Sequence, residues 1–138
     1  MWGAHVPVEI RVPIYTEQDI VAARQLGRAV AEQAGFVGSQ LTVIATAISE
    51  LARNIVTYAV SGEITISLAE QTGRRGVLIL ARDQGPGIQD LALAMRDGYS
   101  TSNSLGMGLP GTRRLMDEFE IASVVGEGTT VTARMWRS

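Results

Sequence analysis

The sequence predicts a two-layer α/β sandwich: a mixed, mostly antiparallel sheet with helices on one face. Three observations point there. Two long segments repeat apolar residues at helical spacing, Ile20 to Ala34 and Leu41 to Ala59. Alternating segments come in hairpin-like pairs, at 64–82 and 121–136. Strands and helices are interspersed without strict βα alternation, which disfavours a doubly wound parallel sheet. The 138 residues suffice for one core and are read as one domain, 1–138.

The elements follow in order. Val6, Val8, Ile10, Val12 and Ile14 alternate as a half-buried strand does, and Pro7 and Pro13 place it at a sheet edge. Thr16 caps a helix from Glu17, with Asp19 in the first turn to complement the dipole and Gly35 as its stop. Ser39 is expected to cap a second helix reaching about Ala59. Its stripe is Leu41, Ile44, Ala45, Ile48, Leu51, Ala52, Ile55 and Ala59. Ile64, Ile66 and Leu68 alternate in a strand, Gly73-Arg74-Arg75-Gly76 reads as a turn, and Gly76 to Arg82 reads as a central strand. Asp83 to Ile88 is a glycine- and proline-rich loop, and 90–96 a short helix. The polar stretch 98–106 reads as a mobile loop. Gly108 to Phe119 looks helical, with Pro110 tolerable in its first turn. Ile121 to Val125 and Thr129 to Trp136 flank a tight Gly126-Glu127-Gly128 turn.

Composition narrows the function. Aromatics are 5 %, so the core should be aliphatic. Net charge is −2 with no long run of either sign, which argues against nucleic acid or a polybasic membrane anchor as partner. There is no cysteine, hence no disulfide framework or thiolate metal site, and His5 has no second histidine to share a metal with. No signal-peptide pattern opens the chain and no apolar run is long enough for a bilayer, so a cytoplasmic domain is expected. All 12 basic residues are arginines. Without lysine neither a P-loop nor the third-strand lysine of a eukaryotic-type protein kinase can be built.

Three short segments carry chemistry when read together. In Glu50-Leu51-Ala52-Arg53-Asn54 the acid and the amide stand one helical turn apart, away from the apolar stripe. An amide oxygen can ligate Mg²⁺, and a carboxylate beside it can deprotonate an attacking hydroxyl. In Asp83-Gln84-Gly85-Pro86-Gly87 a carboxylate at a strand end can accept from the exocyclic amine of adenine. Gly85 and Gly87 let backbone approach a flat ring, and Ile88 is placed to cover a ring face. In Gly106-Met107-Gly108-Leu109 glycines open a helix whose free N–H groups attract phosphate. Thr129, at a strand start, can reach a base edge. Alone, each segment is a solvated helix face, a strand-ending turn or a glycine cap; their order within one short chain is the specific signal.

In that order the segments resemble the N box and the two glycine boxes of the GHKL ATPase superfamily, from about Ile10 to Trp136. Within it the chain resembles the anti-sigma-factor serine kinases. The runs from Glu50 to Val56 and from Ser104 to Leu115 are most similar to RsbT-type switch kinases of stressosomes. The resemblance implies a Bergerat ATP-binding fold that uses ATP and Mg²⁺. It makes Glu50 the general base, Asn54 the Mg²⁺ ligand, Asp83 the adenine acceptor, Gly85 and Gly87 the purine pocket, and 98–108 the ATP lid. It also implies serine or threonine phosphorylation of STAS-domain proteins, and exchange to a second regulator such as a PP2C-type phosphatase. Other readings of the same boxes are an anti-sigma factor that sequesters a sigma subunit, and a pseudokinase that binds ATP to set its shape. A detached histidine-kinase catalytic domain fits less well, since the chain has no room for a phosphoacceptor hairpin. Whether the chain forms a homodimer is left open by its apolar pattern.

Overall fold

A computed structural model describes residues 9–59, 61–88, 95 and 108–137. Five strands and three helices follow in the order β1 (Glu9–Ile14), α1 (Glu17–Gln33), α2 (Ser39–Tyr58), β2 (Gly62–Gln71), β3 (Arg74–Asp83), α3 (Gly108–Leu115), β4 (Glu118–Val124) and β5 (Gly128–Trp136). The strands form one sheet in the order β1-β2-β3-β5-β4. Each pairing is antiparallel, so the expected admixture of parallel strands is not found among the described residues. β1 is an edge strand, as Pro13 requires, and β3 is central. No helix among the described residues is long and apolar enough to cross a membrane. His5, the 90–96 helix apart from Met95, and the 98–106 loop lie outside the described residues.

The core lies between one face of the sheet and the helices, and it is aliphatic as the composition predicts. Val12, Ile14, Ile64, Ile66, Val77, Ile79, Val131 and Ala133 point from the sheet. They meet Ile44, Ile48, Leu51 and Ile55 of α2 and Ile20, Ala23 and Val30 of α1. Fully burying a side chain of this kind contributes roughly 1.5–3 kcal/mol. Met116 is buried in this core and Met135 packs against it.

Thr16 is the N-cap residue of α1. The Asp19 carboxylate reaches back to accept from the N–H groups of Tyr15 at 2.8 Å and Thr16 at 2.9 Å. Those backbone bonds hold the Asp19 carboxyl below its ordinary range. A lowered carboxyl stabilises the fold above about pH 4, where it is ionised in both states, and that contribution fades as pH falls further. The melting-temperature gap between the unsubstituted chain and Asp19→Ala is therefore expected to narrow on acidification below that range. A gap that stays constant into strong acid would remove the charge from this cap.

Three boundaries differ from the sequence reading. Gly38, not Ser39, is the N-cap of α2, with φ at 61°. Five residues join the two helices while Phe36 stays buried, and the reversal needs a positive φ that a side chain resists. The β2–β3 turn is Thr72-Gly73, with Gln71 opposite Arg74, so Arg74 to Gly76 already belong to β3. Gly76 is in the strand because the backbone of Met135 and the Trp136 ring fill the space of a Cβ. α3 stops at Leu115, and Phe119 pairs with Ala133 in β4. There Asp117 turns the chain, its carboxylate accepting from the Trp136 N–H at 2.7 Å.

Candidate nucleotide site

The site forms where the second half of α2 overhangs the end of the sheet. Cross-strand register aligns Gly62, Asp83, Thr129 and Ser123 in one row. Side chains alternate across a strand, so this row shares the helix-facing side with Ala81, Val131 and Ile121. α2 closes over it: a Cβ on Gly62 would lie 2.7 Å from the Ile55 side chain, and one on Gly85 2.8 Å from the Ala59 Cβ. Asp83 is the last residue of β3, at the strand end where the sequence places its carboxylate.

Around Asp83 the backbone is held on several sides. Asp83 Oδ1 accepts from the Gly85 N–H at 2.8 Å, which folds the loop back on its own carboxylate. The Pro86 carbonyl accepts from the Gly126 N–H at 2.8 Å. The Ile88 N–H donates to Ser123 Oγ at 2.7 Å, and Ser123 Oγ lies 2.8 Å from Thr129 Oγ1. The loop carrying Gly85 and Gly87 is therefore tied to the β4–β5 hairpin. Gly87 has φ at 77°, and a Cβ there would lie 2.5 Å from the Val124 carbonyl oxygen. Gly87→Ala is expected to destabilise the protein by about 1–3 kcal/mol through strain and that contact, measured by denaturant unfolding. Unchanged stability would mean that the loop is not locked to the hairpin.

On α2, Glu50 and Asn54 stand one turn apart, as the spacing predicts. Glu50 Oε1 accepts from the Gly108 N–H, the first residue of α3, at 3.3 Å. This bond joins the first and third sequence segments across 58 positions. Thr112 of α3 is fully buried, and its hydroxyl donates within the helix to the Gly108 carbonyl at 2.9 Å. The Asn54 side-chain nitrogen is buried with no hydrogen-bond partner among the described residues. A buried amide donor left unsatisfied costs about 1–3 kcal/mol, and this nitrogen is free to donate to an acceptor that a ligand brings. Leu109 packs against the hydrophobic core, so its part is to seat α3. Gly106 and Met107 lie outside the described residues. Arg113 and Arg114 are exposed on α3.

A carboxylate at a strand end followed by two glycines, a buried amide nitrogen with no partner among the described residues and a carboxylate at a helix head make an arrangement suited to a nucleotide. A family model described as a histidine kinase-like ATPase domain matches residues 15–135. The chain belongs to this family. The serine/threonine-protein kinase RsbT of Bacillus subtilis is 57 % identical over 125 residues, covering 91 % of this chain and 94 % of that one. The anti-sigma F factor of Caldanaerobacter subterraneus is 31 % identical over 113 residues, 79 % of each chain. Among solved structures, the RsbU and RsbW domains of a Mycobacterium tuberculosis protein superpose with a TM-score of 0.65 at 23 % identity, over 96 % of this chain and 33 % of that one. That likeness speaks for the fold.

As a histidine kinase-like ATPase domain the chain uses ATP, and the residues fit that ligand. Asp83 has a second carboxylate oxygen beyond the one bound to Gly85, and the Asn54 side-chain nitrogen has no partner among the described residues. The sequence reading missed Ser123, Ala59 and Gly62. Ser123 sat unremarked in a predicted strand, and the signal for it is a hydroxyl paired across the hairpin with Thr129. Gly62 and Ala59 let α2 pack closely over this end of the sheet without contributing polar groups, and nothing local in the sequence marks them.

Proposed function

We propose that this chain is an ATP-dependent serine/threonine protein kinase acting as one catalytic domain in partner-switching stress signalling. The observation that carries the reading is the placement of Glu50 and Asn54 on one face of α2 beside the head of α3. The 57 % identity to a serine/threonine-protein kinase over nearly the whole chain supports it. The substrates are STAS-domain regulatory proteins of a stressosome, and a PP2C-type phosphatase is the downstream partner. The setting is the cytoplasm. The anti-sigma F likeness is weaker, at 30–34 % identity over 98 to 113 residues.

The residues divide the work. Asp83 accepts from the adenine amine, with Gly85, Gly87, Ile88 and Thr129 shaping the purine pocket. The N–H groups of Gly108 and Leu109 at the head of α3, with Gly106 and Met107 preceding them in the sequence, hold phosphate. Asn54 would hold Mg²⁺ through its amide oxygen, and the ion would supply charge neutralisation. Glu50 receives the proton of the acceptor hydroxyl. Positioning and electrostatic stabilisation then supply most of the rate, as is general for phosphoryl transfer.

The direct test is phosphosite mapping by mass spectrometry after mixing the protein with Mg-ATP and STAS-domain proteins from its own genome. A phosphoserine or phosphothreonine that is absent with Glu50→Gln is the expected result. No transfer while ATP binds would overturn the kinase reading, and capture of a sigma factor under those conditions would replace it with the anti-sigma one.

A further inference from the structure

The Glu50 carboxylate is held at both oxygens, by different elements. Oε1 accepts from the Gly108 N–H at 3.3 Å. Oε2 lies 3.9 Å from Arg53 Nε, one helical turn along α2. Arg53 in turn reaches outward, its Nη1 3.6 Å from Glu17 Oε2 at the start of α1. Exposure falls along this chain of charges, from 75 % for the Glu17 side chain through 42 % for Arg53 to 12 % for Glu50. The guanidinium fork can face two carboxylates at once, which a single ammonium does less well. Pairs this exposed add little to stability, so the consequence of Arg53 falls on where Glu50 sits.

The two holds on Glu50 do not survive nucleotide equally. The Gly108 N–H heads a helix, and a phosphate arriving there competes for the same donor. Glu50 then loses the partner of Oε1, and the approaching phosphate repels its carboxylate. The contact to Arg53 involves no group that the phosphate needs. We propose that Arg53 is a positioning residue for phosphotransfer, which retains Glu50 at the acceptor hydroxyl after phosphate has taken the Gly108 N–H. This rests on the kinase reading above. In the step itself the acceptor oxygen bonds to the γ-phosphorus as the bond from that phosphorus to the β–γ bridging oxygen breaks. The hydroxyl proton passes to Glu50 and ADP departs. Arg53 exchanges no proton and forms no bond.

The test is a double-mutant cycle on phosphotransfer to the acceptor protein, with binding of a non-hydrolysable ATP analogue measured separately by calorimetry. Arg53→Ala is expected to lower kcat about 10-fold, with nucleotide Kd and acceptor KM within about twofold, because the loss is one of orientation. Arg53→Lys should recover part of that loss, since a charge is restored without the fork. In a Glu50→Gln background, Arg53→Ala should change the residual rate less than about twofold, since the group it positions is already disabled. An unaltered kcat overturns the proposal. So does the full loss persisting beside Glu50→Gln, or a loss confined to acceptor KM, which would make Arg53 a docking residue. Transfer by the unsubstituted chain is the control: its absence with analogue bound refutes the kinase reading and the proposal with it, whereas its presence leaves Arg53 alone on trial.

Discussion

Glu50→Gln is expected to leave ATP binding within about threefold while lowering phosphotransfer about 100- to 10,000-fold, the range that general-base catalysis spans. The substitution is nearly isosteric. The glutamine carbonyl still accepts from the Gly108 N–H, so the seat of α3 against α2 is kept. What disappears is the capacity to take a proton from the acceptor hydroxyl. Calorimetry with ATP and single-turnover transfer to the acceptor separate the two effects. Transfer at the unsubstituted rate would remove Glu50 from the chemistry. A collapse of ATP binding would make it a structural residue of the contact between α2 and α3.

Asp83→Asn should act on the other half of the reaction. Its Oδ1 carbonyl can still accept from the Gly85 N–H, now 2.8 Å away, so the loop keeps its closing bond. The second oxygen becomes an NH₂ group, which turns a donor toward the donor amine of adenine. Loss of a charge-assisted bond and a clash of donors together predict a fall in affinity of about 10- to 100-fold. ATP and ADP should lose equally, because the group reads the base and not the phosphates. Calorimetry with both nucleotides checks this. Equal affinity before and after the substitution would take Asp83 out of the base pocket.

Much of the site is legible in the chain because it depends on local geometry. The apolar stripe of α2 sets its phase, and that phase puts Glu50 and Asn54 together on the opposite face whatever surrounds the helix. The two glycines after Asp83 mark a backbone that must turn and be approached closely, and Gly87 does so with a positive φ. Local signals also misled. Gly76 and Arg74 read as turn residues because glycine more often marks a turn than a gap for an indole ring across a sheet. Phe119 continued the helical spacing of α3, yet pairing with Ala133 placed it in a strand. Propensity over a few residues is weaker than a row of ladder bonds.

What this sequence determined by itself is the helix phases, the edge position of β1, the acid–amide pair, and the order of the three segments that lead to an ATP site. These follow from periodicities of about 3.6 and 2 residues and from side-chain chemistry, which need no distant partner. The tertiary structure alone decided that Asp83, Thr129 and Ser123 share a row, that Ser123 anchors Ile88, that Glu50 closes onto Gly108, and that Arg53 spans Glu50 and Glu17. Each of those contacts joins residues on different elements, or chooses among rotamers of one long side chain. Their positions follow from strand order and helix packing, which the whole core sets at once.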